Sequence, residues 1–236
     1  MRLRDAIATP EGKRRYVQRL FATIADRYDL ITVVLSYGLD RRWKRNLVDR
    51  AAIGPGDRVL DLACGTGDLA QAAAGRAGSA VGIDITPRML QLARARMDRR
   101  AAHLAVADML ALPFASRRFT IVTTGYGLRN VPDLRAALSE IERVLAPGGR
   151  MLSLDFNRPD QPLVRAAYLA YLTVAGAVLG FLLHGDPDTY RYIPESIRLY
   201  PGAVGVKRLL EEAGLVDVQI VPLLGGLMAI HIARKP

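Results

Sequence analysis

Cysteine is nearly absent: Cys64 is the only one in 236 residues. With no partner it forms no internal disulfide, which fits a reducing, cytoplasmic compartment. Histidine is scarce as well, with three residues. No run of Cys and His has metal-ligand spacing, so no metal is expected. Aromatics make up 6% of the chain. None interleave with a basic cluster, which argues against a nucleic-acid partner. The opening Met1-Arg-Leu-Arg-Asp lacks the apolar stretch of a secretory signal. There are no internal repeats and no linker. Acids are outnumbered, 23 to 33, for a net charge of +10. The first fifty residues hold twelve basic and six acidic side chains. This excess fits an anionic membrane surface as well as it fits ordinary solvation.

What is present centres on Val59-Leu-Asp-Leu-Ala-Cys-Gly-Thr-Gly-Asp-Leu-Ala70. Val59 to Leu62 reads as a buried strand and Thr66 onward as a helix start. Gly65 and Gly67 make the turn between them and let a ligand lie against bare backbone. Gly65 to Ala70 also fits the loose G-x-G-x-x-A dinucleotide pattern, with Asp84 near the place of a ribose-binding acid. The charges point elsewhere. A pyrophosphate wants a neutral or basic cradle, whereas this loop carries Asp61 before the glycines and Asp68 after them. A cationic ligand without phosphate, such as S-adenosylmethionine, suits it better. Cys64 in this loop reads as a small packing residue or, alternatively, as a reactive thiol.

At this length, half of it hydrophobic, the chain reads as one domain with a substantial core. Residues 1–52 form a helical N-terminal cap, 53–157 a cofactor-binding core, 158–200 an apolar insert, and 201–236 a C-terminal helix with two strands. Residues 10–26 predict a basic amphipathic helix with Tyr16, Leu20 and Ile24 on one face, and a second helix lies around 41–48. Strands are expected at 80–84, 103–107, 119–124 and 151–156. Thr86-Pro87 reads as an N-cap followed by proline, with Leu90, Ala93 and Met97 as the inner stripe. Pro132 is expected to open a helix carrying Leu134, Leu138, Ile141 and Leu145 inward. This alternation predicts an α/β, doubly wound, mostly parallel seven-stranded sheet, with ligands at the carboxyl ends of its strands. Asp61, Asp84, Asp108 and Asp155 fall at or near those ends. Residues 166–183 carry no charge. They read as a buried core helix, as a lining or interfacial helix beside a greasy substrate, or as a span.

Taken together these stretches resemble class I methyltransferases, and more narrowly the ubiquinone/menaquinone biosynthesis C-methyltransferase family. The resemblance covers nearly the whole chain. Its carriers are Tyr28-Asp29 with Ser36 and Trp43, the Asp61–Leu69 loop, Leu112-Pro-Phe114, Gly127-Leu-Arg-Asn-Val131 and Pro147-Gly-Gly149. Tyr190-Arg-Tyr-x-x-Glu-Ser-Ile-Arg198 and Ala229-Ile-His231 complete the set. There are departures. Ile31-Thr32 replaces Met-Asn, Asp40 a common His, Asp108-Met109 Asn-Ala, and Asp155-Phe-Asn157 Glu-x-Ser.

The resemblance implies a Rossmann-like fold, S-adenosylmethionine as cofactor and a prenylated quinol as acceptor. It implies that Ala63, Gly65 and Gly67 cradle the methionine part, with Thr66 in the same loop, and that Asp61 faces the ammonium. Asp84 would accept both ribose hydroxyls, with Ile85 beside it. Asp108 would take the adenine amino group next to the Met109 backbone, and Gly125 aligns with a cofactor-touching position. A ring carbon attacks well only when a neighbouring hydroxyl is ionised, and a phenol at neutral pH is about one part in a thousand ionised. A nearby guanidinium raises that fraction. Arg129 is the first choice for this role, as an electrostatic stabiliser rather than a base. Tyr28, Asn130, Asp155, Tyr192, Arg198 and His231 are the other candidates. His231 reads more readily as a satisfied core residue than as a base, and Arg198 equally as a helical partner of Glu195. Other outcomes remain open: amine methylation of a phospholipid, nucleic-acid methylation, or a non-catalytic cofactor-binding scaffold. Contact with the inner face of a membrane and homodimerisation also stay open.

Overall fold

The structure is a computed structural model that describes residues 3–98 and 102–236. Met1 and Arg2 of the basic N-terminus, and Arg99 to Ala101, lie outside the described residues.

The strands are β1 (Arg58–Leu62), β2 (Ser79–Asp84), β3 (His103–Val106), β4 (Phe119–Gly125), β5 (Leu145–Phe156), β6 (Val216–Leu223) and β7 (Met228–Arg234). They form one sheet in the order β3-β2-β1-β4-β5-β7-β6. All neighbouring pairs are parallel except those made by β7, which runs against both β5 and β6. The helices are α1 (Leu3–Ala6), α2 (Pro10–Ile24), α3 (Tyr28–Leu35), α4 (Asp40–Arg50), α5 (Asp68–Ala74) and α6 (Pro87–Arg96). They continue with α7 (Leu134–Val144), α8 (Pro162–His184), α9 (Tyr192–Leu199) and α10 (Gly202–Glu212).

The two faces of the sheet follow from strand alternation. On one side Leu60, Leu62, Val122 and Met151 pack with Leu138, Ile141 and Leu210 of α7 and α10. On the other, Val59, Ile121, Leu152 and Leu154 meet Trp43, Leu47 and Leu69 of α4 and α5. Both faces are covered, so the inner strands are apolar on both sides.

Local signals set the helix starts. Thr9 accepts from Gly12 N at 3.1 Å and Pro10 opens α2. Asp133, not Pro132, caps α7, its Oδ1 accepting from Ala136 N at 3.0 Å. Leu145 accordingly falls just past that helix and begins β5. Thr86 precedes Pro87 as expected but makes no side-chain cap bond.

Of the three readings of 166–183, the buried core helix fits the structure least. Helix α8 is 23 residues long and apolar enough to cross a membrane by length and composition, yet only 28% of its most apolar window is buried. Tyr168, Leu169, Leu172, Gly176 and Gly180 face inward. Val174, Val178, Phe181 and Leu182 face out.

Candidate active site

The carboxyl ends of β1, β2 and β4 open on one cleft, roofed by α2. Ala63, Gly65, Asp84, Ile85, Asp108, Met109, Gly125 and Asn130 line it. A branch toward α4 adds Asp61, Thr66, Lys44 and Asp68. Gly65 (φ 54°) and Ala63 (φ 49°) both occupy left-handed backbone. For Ala63 that conformation is strained, and it sits where a ligand would touch the main chain.

Three carboxylates are held differently. Asp84 is buried; its Oδ2 accepts from Gly65 N at 2.9 Å and its Oδ1 from Thr86 N at 2.8 Å. Burial raises its carboxyl, and the two backbone bonds oppose that rise. Asp61 stands beside Thr123 in the β1–β4 register and accepts from its hydroxyl at 2.9 Å. Its second oxygen is buried with no hydrogen-bond partner among the described residues. Burial pushes the Asp61 carboxyl up to about 7, against the pull of Thr123 and Lys44. Asp108 is half-exposed; it accepts from Leu110 N at 3.0 Å and pairs with Arg14 at 3.0 Å. A buried carboxylate oxygen with no partner among the described residues, at the strand end beside the glycine turn, fits the ammonium end of S-adenosylmethionine, so the residues present suit that group.

Gly67 plays a different part from the one expected. It lines neither branch. A Cβ there would come within 2.5 Å of Met97 Sδ, and its φ is 92°. Its service is to let α5 and α6 meet at the turn. Cys64 is buried beside Asp61 and Asp84, and burial followed by those charges pushes its thiol far up, so the reactive-thiol alternative has no support.

A second, more apolar cavity continues from the first; Phe21, Tyr28 and Tyr126 line both. Ile24, Ile31, Leu35, Trp43, Phe156 and Tyr192 enclose it around Arg129. The Arg129 guanidinium is buried. Its Nε lies 3.1 Å from Asp155 Oδ1, and Nη1 donates to Asn130 Oδ1 at 3.1 Å and to Ser196 Oγ at 3.0 Å. Its plane sits over Phe156, 4.8 Å from the ring centroid. Nη2 has no hydrogen-bond acceptor among the described residues. Asp155 is wholly enclosed behind the arginine. Burial raises its carboxyl, opposed first by the Arg129 charge. The Tyr192 hydroxyl is buried without a partner. Burial raises the phenols of Tyr28 and Tyr192. Both are therefore neutral donors near pH 7, not bases.

Two sequence candidates lie elsewhere. Arg198 lines an open groove beside Arg15 and Arg19 and pairs with Glu195 at 2.8 Å. His231 is enclosed between strands and α10, with Nδ1 3.3 Å from Ser153 Oγ and Nε2 3.0 Å from the Ala203 carbonyl. Burial lowers its pKa. It lines neither cavity.

Sequence inspection missed two lysines. Lys44 bridges Asp40 at 2.8 Å and Asp68 at 2.7 Å in the α4 branch of the cleft. The i,i+4 spacing to Asp40 was its only signal. Burial alone would lower its pKa, but Asp40 and Asp68 raise it further. Lys13 donates to the carbonyls of Arg129 at 3.1 Å and Val131 at 2.6 Å. Burial, then Arg129, lowers its pKa to about 8. It ties α2 to the Arg129 turn across 116 residues, which no local pattern announces.

A seven-stranded sheet with its last strand reversed, and an acid-lined cleft at its carboxyl edge, define a class I methyltransferase. Solved methyltransferases share this fold. One from Thermotoga maritima superposes with a TM-score of 0.67 at 16% identity, covering 93% of this chain and 100% of that one. Phosphoethanolamine N-methyltransferase 2 of Haemonchus contortus, in complex with S-adenosyl-L-methionine, gives a TM-score of 0.62 at 16% identity, over 83% of this chain and 52% of that one. The chain belongs to the ubiE/COQ5 methyltransferase family, which it matches over residues 9–235. It is 40% identical to the ubiquinone/menaquinone biosynthesis C-methyltransferase UbiE of Ectopseudomonas mendocina, over 96% of this chain and 92% of that protein. It is 41% identical to the demethylmenaquinone methyltransferase of Thermus thermophilus, over 92% and 100%.

Proposed function

We propose that this methyltransferase moves the methyl group of S-adenosylmethionine to a ring carbon of a prenylated quinol. The observation that carries the reading is the pair of joined cavities. An acid-lined cleft for a cationic donor runs into an apolar pocket with one guanidinium in its wall. The relatives' names favour the same acceptor class.

The cofactor, when bound, supplies an activated methyl group on a sulfonium. The chain's residues do the rest. Asp61's free oxygen accepts from the ammonium, and Lys44, with one proton beyond those facing Asp40 and Asp68, meets the carboxylate. Asp84 holds the ribose hydroxyls and Asp108 the adenine amino group. On the acceptor side, Arg129 Nη2 and the Tyr192 hydroxyl are donors with no hydrogen-bond partner among the described residues. They favour the ionised ring hydroxyl, which makes the neighbouring carbon a nucleophile. A carbon–carbon bond forms as the carbon–sulfur bond breaks. The bonding pair leaves with sulfur, and the ring proton passes to water. Asp155 keeps the guanidinium in place, and Phe21, Tyr28 and Tyr126 exclude bulk water.

The test is incubation with methyl-labelled S-adenosylmethionine and a panel of demethylated quinols and aminophospholipids, with the label located by mass spectrometry and NMR. Label on a ring carbon is expected. Label on nitrogen, or none with any quinol, would overturn the acceptor.

A further inference from the structure

Helix α8 is built inside out. Its inner face is pinned by small residues: a Cβ at Gly176 would lie 3.2 Å from Tyr190 Cβ, and one at Gly180 would lie 2.5 Å from the Asp186 carbonyl oxygen. Tyr168, Leu169 and Leu172 also face inward, but a second set of large apolar side chains points the other way. Val174, Val178, Phe181 and Leu182 are 64, 52, 64 and 70% exposed, at helical spacing i, i+4, i+7 and i+8. A second stripe lies on and just past α3, where Leu30, Val33, Val34 and Tyr37 are exposed at i, i+3, i+4 and i+7. Tyr37 stacks on Tyr171 of α8 with centroids 5.6 Å apart, joining the two stripes into one surface. A contiguous apolar patch on this scale marks an interaction site.

Charge selects the occupant. Residues 161–185 contain no acid, and residues 30–48 contain one, Asp40. That one is buried and engaged by Lys44 and Tyr126. Arg27 immediately precedes α3, and Arg41, Arg42 and Arg45 lie on α4 just after it; all four are exposed and without an ion-pair partner among the described residues. A second copy on this face would bring the same unpaired arginines with it. An anionic bilayer accepts both the greasy stripe and the cations. The inner sides of the same elements wall the acceptor cavity, through Ile31 and Leu35 of α3 and through Tyr190, which packs on α8.

We propose that the joined outer face of α3 and α8 is a docking surface for an anionic lipid bilayer. It turns the acceptor cavity toward the membrane, so that a lipid-tailed ring enters without crossing water. The direction of entry rests on the quinol reading; the docking itself does not.

Two measurements on the full chain separate them. The first is co-sedimentation with vesicles of phosphatidylcholine, alone or with phosphatidylglycerol, at low and high salt. The second is methyl transfer to a short-tailed quinol in solution. The proposal expects binding to the anionic vesicles that weakens with salt. Val178→Ser/Phe181→Ser/Leu182→Ser should reduce it roughly tenfold or more. Arg41→Gln/Arg42→Gln should reduce it by roughly fivefold per arginine that reaches the surface. Unchanged short-tail activity in both variants shows that they fold. Equal sedimentation of the native chain and both variants would overturn the docking, as would a dimer that the same serine variants dissociate. Vesicle binding with no transfer to any quinol supports the docking and removes the acceptor.

Discussion

At the cofactor end of the cleft, Asp61, Asp68, Asp84 and Asp108 ring a turn of glycine and alanine backbone. At the acceptor end, tyrosine, phenylalanine and aliphatic side chains surround one guanidinium. The first end works by position, because its carboxylates sit on strand ends and turns whose register fixes them. The second works by exclusion, because an arginine in an apolar wall acts strongly only where water is kept out. The difference predicts that damage at one end should show in cofactor affinity and at the other in turnover.

The largest effect on affinity is expected from Asp84→Ala. Loss of two charge-assisted hydrogen bonds should weaken S-adenosylhomocysteine by about 3–5 kcal/mol, read by titration calorimetry. Retained affinity would remove the ribose from Asp84. Next, Arg129→Met should lower kcat by roughly 10²–10³ while leaving cofactor Kd within about threefold. The same change strands Asp155 in the interior and should destabilise the fold by about 3–5 kcal/mol. Adding Asp155→Asn should restore the melting temperature but not kcat. A recovery of both would make the pair structural.

The Asp61 carboxyl supplies a sharper contrast. In the free chain it titrates near 7, while the unfolded chain ionises near 4. Between those values the unfolded state has lost the proton and the folded state keeps it, so stability falls as pH rises across that window. The ligand's ammonium favours the ionised form. Affinity for S-adenosylhomocysteine should therefore rise roughly tenfold from pH 6 to pH 8. The slope should vanish in Asp61→Asn, and a slope that survives would assign it elsewhere. The smallest effect is Lys44→Met, expected to weaken S-adenosylhomocysteine about tenfold. It should leave 5′-methylthioadenosine, which has no amino-acid carboxylate, unchanged. Equal losses for both would give Lys44 a purely structural part.

Much of the fold was legible before any coordinates. The alternation of Val59-Leu-Asp-Leu62, the Thr86-Pro87 start and the Leu138/Ile141 stripe are local, and local patterns carry their own periodicity. Asp61 and Asp84 could be singled out because several acids fall in register at the carboxyl ends of the strands, where such sheets bind ligands. Lys13, by contrast, reaches its two carbonyls only because α2 folds back over the fourth strand, and no spacing in the chain encodes that approach. Gly67 and His231 line neither cavity, because which side of a turn or strand faces a cavity is settled by neighbours.

Alone, the string of residues determined the sheet, the acid-ringed glycine turn and an uncharged run too greasy for a loop, since each depends on contacts within a few residues. Tertiary structure decided the rest. It put Arg129 against Asp155 with Nη2 left over, left Asp61 one oxygen short, and turned one apolar stripe of α8 outward. Those outcomes depend on which distant surfaces meet, and hence on where water is excluded.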